Sequence, residues 1–274
     1  MFKNKTILIT GGSSGLGLGL AQALLKRGAR LILLARTPAK LEQAKKMLLK
    51  SVPNGNVDIV PVDVSDREAL QKALHIALQR QPFLDMVINN AGVLREGYFE
   101  ELSAADFEEM FGVNYFGCLY VTQITLPYLK KSRGRLINVA SVAGLTGGFG
   151  LSAYSSSKYA LVGFTETLRG ELKPQGVTVQ VVCPPEFFSP MVEELNTYRT
   201  PENLAHTLMI PRLPIDLLVK ETIKGIEKNR FKIIPGRRTR LMLLGVQHFP
   251  GISRFFADRV IKKAYVGPYQ HNQG

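Results

Sequence analysis

The chain has only two cysteines in 274 residues, Cys118 and Cys183, and each lies in an apolar stretch, FGCLY and VVCPP. So sparse and embedded a pair argues against a disulfide framework or a metal cluster, and both are expected to be buried thiols. Long apolar runs are also missing: nothing approaches the roughly 20 residues that a bilayer-crossing helix needs. The N-terminus passes through Lys3 and Lys5 straight into Ile7-Leu8-Ile9, with no extended apolar core and no small-residue cleavage site. It is expected to be the first strand of a mature cytoplasmic protein. Acidic residues are the scarcer charge, 22 against 35 Lys and Arg, for a formal net charge of +13. Nine of those positive charges fall in residues 224–263, where eleven Lys or Arg meet only Glu227 and Asp258. Such a concentration suits nucleic acid or an anionic membrane. The same stretch carries Leu241-Met242-Leu243-Leu244, Phe249, Ile252, Phe255 and Phe256, which a phosphate backbone does not need. The mixture argues against nucleic acid and for peripheral contact with a lipid surface.

What the chain has is a repeating alternation. TILIT, RLILLA, VDIVPV, DMVINN, RLINVAS and VTVQVVC are strand-like runs separated by amphipathic helical stretches, the first two helices beginning near Ser14 and Pro38. Six such units predict an α/β fold, a doubly wound parallel sheet with helices on both faces. With FKIIP the sheet reaches about seven strands, and no linker-like composition interrupts it, so one domain is expected over 1–236. The pattern lapses over 186–214, a connection with four prolines (Pro190, Pro201, Pro211, Pro214), of a length usually reserved for lids and binding loops. A helix resumes over Leu217 to Ile226, and 237–274 forms a C-terminal amphipathic extension.

Between the first strand and helix stands Thr10-Gly11-Gly12-Ser13-Ser14-Gly15-Leu16-Gly17. A glycine turn opening a helix presents backbone N–H groups and a helix N-terminus to a pyrophosphate, so Gly11, Ser13, Ser14, Gly15 and Leu16 are candidate dinucleotide contacts. Its spacing is T-G-x-x-x-G-x-G, which differs from the broader G-x-G-x-x-G pattern. The second strand ends where a dinucleotide's adenosine ribose rests, and the acid that would hold a 2′-hydroxyl is absent there. The chain reads Leu34-Ala35-Arg36-Thr37-Pro38-Ala39-Lys40 instead. Arg36 offers a planar fork to a 2′-phosphate and Lys40 a second positive charge, which favours NADPH/NADP+; solvated residues at a helix start are the bland alternative. Asp63, followed by Val64 after the third strand, fits either an acceptor for the adenine amino group or a helix N-cap.

Thr10–Gly17, Asn89-Asn90-Ala91-Gly92, Asn114, Ser141 and Tyr154-Ser-Ser-Ser-Lys158 occur in that order and together resemble the short-chain dehydrogenase/reductase superfamily, from Lys5 to about Pro185. The residue types suit carbonyl reduction. An oxyanion left by hydride transfer must be protonated, and a tyrosine does this if its pKa is drawn from near 10 toward neutrality. A lysine one helical turn on supplies the opposite charge and can hold the nicotinamide ribose. Ser141 can hydrogen-bond the substrate oxygen as it gains charge. The resemblance further implies that Asn114 supports a water chain to Lys158, that the backbone at Asn90 touches the adenine ribose, and that the chain is a homodimer or homotetramer through the helices around Asn114 and Tyr154.

Pro184-Pro185-Glu186 after the sixth strand, with the GGSSG turn and Arg36-x-x-x-Lys40, resembles the 3-ketodihydrosphingosine reductase branch, although Phe188-Ser189-Pro190 stands where that branch has Asp-Thr-Pro. The expected reaction is NADPH-dependent reduction of a hydrophobic, long-chain ketone. A steroid, fatty acyl or other small ketone stays open, as does a non-catalytic NADPH-binding sensor or scaffold. Glu186, Glu193 and Glu194 are either partners for a substrate ammonium or solvated acids. Ile252, Phe255, Phe256, Val260, Ile261 and Ala264 are expected on one side of a tail helix, lying in a membrane interface, over the substrate mouth or against a second subunit.

Overall fold

The computed structural model describes residues 1–79, 81 and 83–268; of the expected C-terminal extension, 269–274 lie outside the described residues. Apolar runs without polar alternation make strands that are covered on both faces. All residues of β1 (Thr6–Thr10) and β4 (Met86–Asn89) are buried. With β2 (Arg30–Ala35), β3 (Asn56–Pro61), β5 (Arg135–Val139), β6 (Thr178–Val182) and β7 (Lys232–Ile233) they form one sheet in the order β3-β2-β1-β4-β5-β6-β7, every pairing parallel.

Alternation along β1 divides the core. Ile7 and Ile9 face a cluster that includes Leu20 and Leu24 of α1 (Gly15–Leu25) and Leu218 and Ile223 of α9 (Ile215–Glu227). Leu8 faces the other side, with Leu70 and Leu74 of α3 (Arg67–Leu78) and Val121 and Leu129 of α5 (Cys118–Ser132). α2 (Pro38–Ser51) completes the first layer, and α4 (Ala104–Phe111) and α6 (Ser152–Leu172) the second half of the chain's crossovers. Strand order reverses between β1 and β4, so the crevice at their carboxyl ends is where such folds bind ligands.

The structure differs from expectation in two places. The connection over 186–214 carries two short helices, α7 (Pro190–Leu195) and α8 (Pro201–Thr207), each with proline in its first turn and each N-capped by a side chain, Ser189 and Thr200. The prolines that made the segment look irregular are helix starters, because their fixed φ and missing N–H cost nothing there. The extension forms α10 (Arg237–His248) and α11 (Pro250–Ala264), with α11 lying against α8. Its apolar residues do not share one side. Val260, Ile261 and Ala264 are partly covered and turned inward and Phe256 borders the cavity, while Ile252 and Phe255 are exposed on the same outer face as Arg259 and Lys263.

Candidate active site

The glycine turn is built around backbone proximity. Gly11 and Gly15 sit at φ +64° and +51°, and a Cβ on Gly17 would lie 2.2 Å from the Gly11 carbonyl oxygen, so only glycine brings α1 this close to the turn. The loop after β4 braces it from the side. The backbone N–H groups of Asn90 and Ala91 both donate to Thr10 Oγ1 at 2.9 Å, and Asn90 Nδ2 donates to the carbonyls of Thr10 and Gly11. The Asn90 side chain is therefore committed to holding the turn. Ser14 stands at the N-cap of α1 in extended conformation and makes no side-chain cap. The first-turn N–H groups of α1 thus lack a side-chain partner at the mouth of a crevice, a cradle that fits a dinucleotide's pyrophosphate.

Gly11, Ser14, Gly15, Leu16 and Asn90 line one end of a cavity of about 1160 Å³, and Ser141, Tyr154 and Lys158 line its middle. Ser13, Arg36, Lys40, Asp63 and Val64 lie outside that lining. The Arg36 guanidinium is exposed beyond the end of β2, 3.8 Å from an Asp63 carboxylate oxygen. Asp63 also accepts from the N–H and hydroxyl of Ser65, and the N-cap of α3 is Asp66, so the capping alternative for Asp63 fails by three residues. Val64 is buried, and a Cβ on Gly117 would come within 2.7 Å of it, so any ligand contact by Val64 is through its backbone.

The reactive side chains come from three elements. Ser141 follows β5 in extended conformation; its oxygen accepts from the Ala143 N–H at 3.1 Å, and its hydroxyl hydrogen-bonds the Tyr154 phenol. Tyr154 and Lys158 are one turn apart on α6, with Lys158 Nζ 5.7 Å from the tyrosine ring centre. Asn114 lies in a π-helical turn (Gly112–Gly117) between α4 and α5, a local widening that is common at functional sites. Its side chain is committed three ways: Oδ1 accepts from the Val93 N–H at 2.9 Å, and Nδ2 donates to the Val93 carbonyl and to Ser157 Oγ, each at 3.0 Å. Gly92 separates Asn114 from the ammonium: a Cβ there would sit 3.0 Å from Asn114 Oδ1 and 3.4 Å from Lys158 Nζ.

Electrostatics depart from the sequence argument. Burial pushes the Tyr154 phenol up to about 12, with the Ser141 hydroxyl pulling the other way. Burial likewise drives Lys158 down to about 8, opposed by Cys118 and Cys183 beside it. Lys158 Nζ donates to the Val139 carbonyl at 3.2 Å, and burial is the larger influence on the Tyr154 phenol. The phenol is therefore protonated at neutral pH, the state a proton donor requires.

The far end of the cavity is largely apolar, with His206, Gln247, Arg254 and Asp258 among its lining, and is walled by the lid segment and the C-terminal extension. Met191 and Leu195 come from α7, Met209 and Ile210 follow α8, and Leu243 and Ile261 come from α10 and α11. Two carboxylates line the whole cavity, Glu186 and Asp258. Glu186 is spent: Arg199 pairs with it through both Nη atoms, and Arg212 Nε donates to it as well. The buried ion triad removes Glu186 as a partner for a substrate ammonium. Glu193 and Glu194 are exposed on α7 and absent from the lining. The lid's buried polar residues Glu202 and Asn203 were not anticipated from sequence, where they read as ordinary helix-surface types.

The sequence pattern of the short chain dehydrogenase family matches residues 5–200. The chain belongs to that family and is an oxidoreductase. Its relatives include the mouse 3-ketodihydrosphingosine reductase, 37% identical over 227 residues that make up 80% of this chain and 68% of the mouse protein. The zebrafish 3-dehydrosphinganine reductase is 36% identical over the same shares. Among solved structures, a short chain dehydrogenase/reductase from Burkholderia phymatum in complex with NAD superposes with a TM-score of 0.80 at 25% identity, covering 92% of this chain and 95% of the other.

Proposed function

We propose that the protein reduces a ketone on a long-chain, hydrophobic substrate at the expense of NADPH, and that the substrate is 3-ketodihydrosphingosine. The observation that carries this reading is the continuity of one cavity from the glycine turn, past Ser141, Tyr154 and Lys158, to an apolar chamber closed by α7, α8, α10 and α11. NADPH, when bound, supplies the hydride. Tyr154, protonated at neutral pH, donates the proton to the substrate oxygen. Ser141, whose hydroxyl hydrogen-bonds the Tyr154 phenol, stands where that hydroxyl can stabilise charge on the same substrate oxygen. Lys158 steadies the ribose end of the cofactor, and Arg36, with Lys40 behind it, takes a 2′-phosphate. The relatives' names support the sphingoid ketone, and the chamber's apolar lining suits its chain.

Purified protein with NADPH, offered 3-ketodihydrosphingosine beside steroid and short aliphatic ketones, tests the assignment. NADPH oxidation with the sphingoid ketone is expected; oxidation with only the other ketones would replace the substrate. A Tyr154→Phe protein that kept its biological activity without turnover would favour a sensor.

Two assembly features belong to the same reading. The outer face of the tail, with Leu241, Leu244, Phe249, Ile252 and Phe255 exposed among arginines and lysines, is placed on an anionic membrane surface. No helix among the described residues is long and apolar enough to cross a membrane. Exposed Phe116, just ahead of α5, and Tyr159 on α6 mark the face expected to join two copies.

A further inference from the structure

Helix α6 starts without help from its own sequence: its N-cap, Leu151, has no side chain that can cap. The placement of its first turn, which carries Tyr154, therefore depends on the chain just upstream, Phe149-Gly150. Helix α8 grips Phe149 by both backbone polar groups. The Phe149 N–H donates to His206 Nδ1 at 3.0 Å, and the Phe149 carbonyl accepts from Asn203 Nδ2 at 2.6 Å. Asn203 is fully buried, and its Oδ1 accepts from Arg199 Nε at 2.6 Å. Arg199 is locked in turn by Glu186, its two Nη atoms 3.1 and 2.8 Å from the two carboxylate oxygens. Glu186 begins the lid and also accepts from Arg212, near the lid's end. One line of polar contacts thus runs from both feet of the lid, through α8, to the backbone five residues ahead of Tyr154.

A second contact ties the same two segments. Gly150 sits at φ +70°, and a Cβ there would be 2.3 Å from Glu96 Oε1. Glu96 accepts from the N–H and hydroxyl of Thr200, the N-cap of α8. Glu96, Thr200 and Asn203 are buried, so lifting α8 leaves several buried donors and acceptors without partners at once. The lid and the start of α6 are held as one unit.

We propose that Arg199, Asn203 and His206 are positioning residues for the reaction: seating α8 over the cavity and aligning the Tyr154 phenol are one event. A closed lid that only excluded water would not need to touch Phe149. This one fixes the backbone that aims the proton donor, and the proposal rests on the reading of Tyr154 in that role.

Asn203→Asp tests it with little change of shape. The variant keeps the acceptor for Arg199 and loses the donor to the Phe149 carbonyl. With NADPH and 3-ketodihydrosphingosine, kcat should fall about tenfold or more, as a sub-ångström misplacement of a reacting group produces. NADPH affinity should hold, and the primary isotope effect with NADPH deuterated at the transferred hydride should rise. Independently of substrate, amide hydrogen exchange should quicken across 149–155. Tyr154→Phe, run in parallel, separates the two claims. If it is inactive while Asn203→Asp turns over like wild type with unchanged exchange, the positioning role is overturned and the proton donor stands. If Tyr154→Phe turns over freely, both fall. Activity that drops only in proportion to folded protein, with isotope effect and exchange unaltered, also overturns the proposal. Should Asn203→Asp not fold, the less buried His206 decides: His206→Leu should lose kcat, and His206→Gln, which keeps an acceptor, should recover most of it. Equal kcat in the two would refute the role.

Discussion

Lys158 is the residue on which function and stability pull apart most clearly. Its ammonium is buried against a single carbonyl, and its pKa is driven down to about 8 by desolvation. As pH rises through that value the charge is lost, so reduction should slow on the alkaline side, which a pH profile of kcat/KM checks. The unfolded value lies near 10.4, so the unfolded chain binds more protons between about 8 and 10.4 and stability rises with pH across that window. Lys158→Met should accordingly abolish turnover while raising the unfolding free energy at pH 7 by about 1–3 kcal/mol, measured by urea denaturation. Arg36 makes a different prediction. Its ion pair with Asp63 is long and exposed and contributes little, so the guanidinium is available to a ligand. Arg36→Ala should weaken NADPH far more than NADH in binding titrations; equal losses would show that it does not read the phosphate. At Gly17, a methyl group must displace the Gly11 carbonyl or the helix, and Gly17→Ala should cost about 1–3 kcal/mol and much of the cofactor affinity, seen in thermal melts with and without NADPH.

Among the elements, α11 shows how a correct pattern can be misassigned in space. Its apolar residues were legible as helical, but two faces exist. Val260, Ile261 and Ala264 pack inward, Phe256 and Ile261 reach the cavity, and Ile252 and Phe255 project outward beside Arg259 and Lys263. Ile252 and Phe255 are exposed among the described residues, so polar substitution there should leave folding intact. Ile252→Ser with Phe255→Ser is expected to melt like the parent and to lose most sedimentation with phosphatidylserine vesicles. Unchanged sedimentation would show that this face does not meet lipid. The end of the tail is held separately: buried Glu202 of α8 accepts from the backbone N–H groups of Val266 and Gly267 and from the Tyr98 hydroxyl. Burial and the neighbouring carboxylate raise the Tyr98 phenol beyond its ordinary range.

For the whole molecule, the tail and the lid close the same chamber. Ending the chain at Phe249 removes one wall and exposes the side of α8 that α11 covers, along with Leu243 of α10. Such a protein should keep NADPH binding, because the glycine turn lines the opposite end of the cavity and Arg36 lies outside it, and should lose affinity for a long-chain ketone more than for a short one. A comparison of KM across chain lengths checks this. A truncated protein that no longer binds NADPH would instead mark α11 as part of the folding core.

Much of this protein is local and was therefore written in the sequence. Strands buried on both faces announce themselves as unbroken apolar runs, a glycine turn at the first strand–helix junction needs only neighbours, and Tyr154 and Lys158 share a helix face by spacing alone. What the tertiary structure decided was anything that depends on which distant group arrives. Glu186 looked like a free acid until two arginines from both ends of the lid closed on it. Nothing in the spacing showed that the Asn90 side chain would turn back to brace the carbonyls of Thr10 and Gly11. Tyr154 looked like a phenol that its neighbours would lower until burial pushed it the other way. Burial and partnership are properties of chain segments brought together from far apart, and the energy of a polar group is set by that company more than by the residue's own chemistry.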